Sequence, residues 1–129
     1  MTRVPFQYAV LRVIPRVDRG ESINAGVVVY SQQAQFLGAR VHLDVDRLRT
    51  LDASADAGPI HAALLAVAGT CDGCGTGADE EIGHRFRWLT SPRSTVVQSG
   101  PVHTGLTEDA SGEPDRLLAL LVLPLPRDS

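Results

Sequence analysis

Twelve arginines and no lysine supply the positive side-chain charge of this chain. Codon bias in a GC-rich bacterial genome is the simplest account. The chemical consequence is independent of that origin. Each cation is a planar fork suited to carboxylate or phosphate, and no lysine is present to form a Schiff base or act as a general base. Three of the arginines fall where such a fork could form a site. Arg12 lies in an apolar stretch at 6–14, Arg40 in a second at 36–43, and Arg93 in the run Pro92-Arg93-Ser94-Thr95.

If 6–14, 23–30 and 36–43 are strands, period-2 alternation places Tyr8 and Arg12 on one face of the first. It groups Asn24 with Gly26, Val28 and Tyr30 on the second, and Phe36 with Gly38, Arg40 and His42 on the third. Lined up, these form a polar floor in which two glycines leave room and two arginines attract an anion. Glu21 is the nearby acid. The competing reading has Arg12 and Arg40 paired with Glu21 or Asp44, simply closing an exposed sheet face.

Arg93, Ser94 and Thr95 form a second cluster, because fork and hydroxyl donors can converge on one oxyanion. His103 follows in the Gly/Pro-rich segment Gly100-Pro101-Val102-His103 and is the one candidate there for a general base. The alternative is a structural turn whose hydroxyls satisfy local backbone groups.

Cys71-x-x-Cys74 resembles half a zinc site or a redox pair. Zinc would need His61 or His84 as further ligands, and their spacing fits no common pattern. A redox pair would open a helix after a strand, whereas this one follows a helix in a Gly-rich loop. No metal and no cofactor are therefore expected. Asp44 and Asp46 flank a helix start, where they favour the dipole. Arg85, Arg87 and Trp88 suggest a basic aromatic patch, but helical periodicity places Trp88 at the core edge. No P-loop, nucleophile elbow or dinucleotide fingerprint occurs, and no catalytic set is assigned.

The elements that must position these residues fit one domain over 1–129, with its core over about 6–123 and a short C-terminal tail. Apolar residues make up 43% and charged residues 21% of the chain, a globular balance. The net charge of −3 argues against broad nucleic-acid binding. The apolar stretch 6–14 is broken by Arg12 and lacks a cleavage site, and the run 117–125 is too short to span a bilayer, so no membrane is expected and the cytoplasm is the expected location. Short connections predict an antiparallel meander of the first three strands. Helices are expected near 45–51, 57–69, 79–90 (with Asp79 as cap) and 115–123. A short strand is expected at 93–98 and mostly loop at 99–112. The fold class is α+β: an antiparallel sheet of three to five strands with helices packed on one face.

Three blocks, YAVLRVIPRVDRGESINAGVVVY, FLGARVHLDVDRL and RFRWLTSPRSTVVQSGPVHTGL, resemble the bacterial family called domain of unknown function 3037, from Tyr8 to about Leu123. Arg12, Glu21, Asn24, Gly26, Arg40, Arg85, Phe86, Pro92, Arg93, Ser94, Thr95 and His103 occupy its motif positions, whereas Cys71 and Cys74 are not a strong part of the pattern. The resemblance implies genes for kinases similar to the toxin kinase HipA as neighbours, and hence a partner or accessory role. The leading expectation is a non-enzymatic interaction module working with a HipA-like kinase, whose contacts are Arg12, Glu21, Asn24, Arg40, Arg93, Ser94, Thr95 and His103. The alternative is a small enzyme or binding domain for a phosphorylated or nucleotide-like anionic ligand. In it Arg12, Arg40 and Arg93 grip the anion in one pocket, and Glu21 or His103 handles the proton.

Overall fold

The computed structural model describes residues 2–73, 81–93 and 95–125. Ser94, Cys74, Asp79 and the tail from 126 lie outside these, and with them the second half of the CxxC pair and the cap expected at Asp79.

The apolar N-terminal stretch forms a long strand, β1 (Val4–Val13). It is central, because both its faces are apolar and both its edges are paired. On one side lies β2 (Ile23–Ser31), itself flanked by β3 (Phe36–Val41), all antiparallel. On the other side β1 pairs in succession with two short strands, β4 (Val97–Ser99) through Leu11–Val13 and β5 (His103–Thr107) through Val4–Tyr8. These two form one interrupted line along β1. The interruption is Gly100-Pro101-Val102, and Pro101 has no N–H to offer a ladder there.

The register of β1 and β2 shifts between Leu11 and Arg12, leaving Ala25 as the extra residue of a β-bulge. An extra residue in a period-2 strand moves every later side chain to the opposite face. Ile23 and Ala25 therefore join Val28 and Leu11 in one core, while Val27 and Val29 join Phe6 in another.

Among the described residues, two of the four α-helices start at a side chain that satisfies a free N–H group. Asp44 accepts from Arg47 N at 3.2 Å to start α1 (Val45–Leu51). Asp56 accepts from Gly58 N at 3.2 Å to start α2 (Ala57–Cys71). The other two lack such a cap: α3 (Ile82–Leu89) is preceded by Glu81, which makes no capping bond, and the last helix is preceded by Gly112. After a 3₁₀ turn at Ala110–Gly112, α4 (Glu113–Leu121) opens on Glu113 and Pro114, residues suited to a first helical turn.

The result is a single α+β domain on an antiparallel five-stranded sheet. α1, α2 and α3 supply Leu48, Leu64 and Phe86 to the core on one sheet face. α4 seals the other, where Leu117 and Val122 cover Phe6, Val27 and Val29. Burying both faces explains why β2 carries an unbroken Val27-Val28-Val29 run, all fully buried, instead of alternating with polar residues. No helix among the described residues is long and apolar enough to cross a membrane.

Candidate functional site

The structure brings Tyr8, Arg12, Asn24, Arg40 and His103 to the same sheet face. Arg12 stands opposite Asn24, Tyr8 opposite His103, and Arg40 opposite Val27, which in turn pairs with Val10. The bulge removes Gly26, Val28 and Tyr30 from that face, correcting the expectation that they share it with Asn24.

The expected open floor is filled. α4 lies over it, and its residues engage the polar side chains. Arg40 Nε donates to Asp115 at 2.8 Å, and Asn24 Nδ2 donates to the Leu121 carbonyl at 3.0 Å, near the end of α4. Room above the glycines is taken as well. A Cβ on Gly38 would meet the Phe36 ring at 2.5 Å, and one on Gly105 would meet the Phe6 ring at 2.7 Å. One on Gly100 would sit 3.0 Å from the guanidinium carbon of Arg12. In each case a flat group from a neighbouring position covers bare backbone.

The remaining nominees have local roles. Glu21 pairs with Arg19, and Asp44 caps α1. Thr95 Oγ1 donates to the Val97 carbonyl at 2.6 Å, and Gln98 Nε2 donates to the Thr95 carbonyl at 2.8 Å. His103 is exposed, with its ring 5.2 Å from that of Tyr8. Arg93 is separate from Arg12 and Arg40. It lines a cleft with Leu11 and Leu89, on the sheet side that carries α1, α2 and α3 and not on the α4 side, and its guanidinium lies 4.1 Å over the Trp88 ring. The pocket with three converging arginines is therefore not formed.

Trp88 also departs from expectation. It is 41% exposed, while Phe86 and Leu89 turn into the core. The buried residues of α3 are Gly83, Phe86 and Leu89, at i, i+3 and i+6, and Trp88, two positions after Phe86, turns to the opposite side of the helix, where the indole meets Arg93.

Two features carried no signal in the sequence. The first is a polar knot at the start of α4. Thr107 Oγ1 donates to Glu113 Oε1 at 2.9 Å, and Arg116 holds Glu113 Oε2 through two bonds of 2.8 and 2.6 Å. Those bonds raise the Arg116 guanidinium pKa further above its ordinary value. The second is β5 itself. It carries no Arg, Lys, Asp or Glu, and Leu106 is 63% exposed on it. Cys71 is buried, which pushes its thiol up to about 12. No cluster of metal-ligating side chains occurs among the described residues.

Fold and site together define an α+β domain whose sheet-borne polar residues mainly hold α4 and the strand edges in place. The chain belongs to the family described as protein of unknown function (DUF3037), whose model matches residues 8–122. No curated protein and no solved structure matches it.

Proposed function

We propose that this chain is a non-enzymatic interaction module and that its partner, a HipA-like kinase, docks by adding a strand to the outer edge of β5. The observation that carries this reading is the difference between the two sheet edges. β3 is guarded. α2 and α4 both pack against it, and Arg40 on it is tied to Asp115. β5 pairs with β1 on one side, and no described strand lies on the other. Its residues His103–Thr107 include no Arg, Lys, Asp, Glu or Pro, the usual devices that keep an edge from pairing. Val102 and Leu106 add exposed apolar surface, 41% and 63% accessible. Strand addition draws affinity from backbone hydrogen bonds and specificity from alternate side chains, which suits such an edge.

The kinase enters through the family resemblance and its implied gene neighbourhood. The roles of Arg40, Asn24 and Thr95 support the non-enzymatic side of the reading, since each is engaged in holding the fold. The test is co-purification of the full chain with the neighbouring kinase. Wild type is expected to bind at micromolar concentration, and Leu106→Lys to weaken binding by about tenfold or more while keeping the native circular dichroism spectrum. No complex at micromolar concentration, or undiminished binding by Leu106→Lys, overturns it.

A further inference from the structure

A cleft of about 360 Å³ opens between α2 and β4, a size typical of small-molecule sites. Its floor is Leu11 and Leu89, residues of the main core that are 1% and 5% exposed. Ile60, Ala63 and Val67 of α2 form one wall, and Val96 and Val97 form the other. Arg93 lies at the polar rim with Ser91 and Thr95, and among the described lining residues it is the one charged group.

The rim is chemically selective. One Arg93 nitrogen donates to the Trp88 carbonyl at 2.6 Å, and the guanidinium stacks on the indole, so the fork is held in place. Among the described residues no carboxylate pairs with Arg93, and only one of its five N–H donors, that to Trp88, is engaged. Ser91 and Thr95 already donate their hydroxyl protons, to the Trp88 and Val97 carbonyls at 2.7 and 2.6 Å. The rim therefore offers one guanidinium fork and few other donors. That satisfies the two oxygens of a carboxylate better than the three of a phosphate. The walls offer hydrocarbon and few hydrogen-bonding groups, so they suit an aliphatic body and not a nucleobase.

We infer that this cleft binds a small aliphatic carboxylate, with its hydrocarbon between α2 and β4 and its head on Arg93. The site is distinct from the β5 edge, since Leu106 does not line it. The experiment is titration of the full ¹⁵N-labelled chain with octanoate, followed by two-dimensional NMR. Saturable shifts are expected at Val67, Leu89, Val96 and Val97. Octanol, with the same chain and no charge, is expected to bind at least about tenfold more weakly, and Arg93→Gln to lose about tenfold in octanoate affinity. Ala63→Phe, at an exposed wall position, tests the cleft independently and is expected to block binding while leaving the rest of the spectrum native. Equal binding of octanoate and octanol, unchanged affinity in Arg93→Gln, or shifts confined to other residues overturns the assignment.

Discussion

Arg40 and Asp115 join the edge strand β3 to the first turn of α4 through a 2.8 Å hydrogen bond, seventy-five residues apart in sequence. The side chains are 59% and 71% exposed, so water competes for both. Exposed pairs of this kind contribute at most about 1 kcal/mol. A double-mutant cycle of Arg40→Ala and Asp115→Ala, read by urea denaturation, is expected to give a coupling energy below about 1 kcal/mol. Coupling of several kcal/mol would make the pair a principal clamp on α4, contrary to this account.

The stronger clamp is expected at Glu113. Its side chain is 9% exposed and accepts from Thr107 and from two Arg116 nitrogens. Glu113→Ala leaves the buried Thr107 hydroxyl without its acceptor and is expected to cost about 2–3 kcal/mol. Arg116→Ala leaves the Thr107 bond intact but strips the carboxylate of its cation. Denaturation midpoints are expected to fall in the order wild type, Arg40→Ala, Glu113→Ala, and a reversal of the two variants would contradict the assignment.

Why Glu113 escapes a reading of the sequence is instructive. GEPDR signals a helix start, and the helix was expected a little later, at 115–123. Nothing local says that this glutamate faces inward toward Thr107. The first three strands and the helix at 45–51 are legible because their apolar period and their caps are local properties. β5 is not, because HTGLT has a central glycine and turn residues on either side. It becomes a strand because β1 offers it a template. The polar face was legible in part: Arg12, Asn24 and Arg40 do share it. Its openness was not, since α4, placed there by tertiary packing of Leu117 and Val122, fills it.

Cys71 provides a test of burial through pH. Burial is the main cause that raises its thiol from 9.0 to about 12, assisted by the Asp72 charge and opposed by Arg85. The folded state therefore keeps a proton that the unfolded state loses above its ordinary value. Stability contributed by the neutral thiol is full below about pH 9 and is lost as pH rises toward about 12. In a Cys74→Ser background, Ellman's reagent at about pH 8 is expected to label native Cys71 far more slowly than the urea-unfolded chain. Equal rates in the two states would show that the thiol is not protected.

The bulge at Ala25 makes the last prediction the most discriminating for the sheet. Gly26 follows it, with its Cα hydrogen against the backbone. A Cβ there would lie 2.8 Å from the Arg40 carbonyl oxygen, 3.0 Å from Val41 Cγ1 and 3.1 Å from Leu11 Cδ1. The nearest obstacle is main chain in a hydrogen-bonded ladder and cannot swing aside. Gly20, in contrast, has open space around it but a φ of +71°. Alanine at Gly20 meets only the left-handed backbone penalty, about 1 kcal/mol. Alanine at Gly26 must push β2 from β3 or displace Leu11, and is expected to cost about 2–3 kcal/mol. Urea denaturation of the two variants is expected to rank Gly26→Ala well below Gly20→Ala. If Gly26→Ala proves as stable as wild type, the β2–β3 register beside the bulge is wrong, and with it the division of strand residues between the two sheet faces.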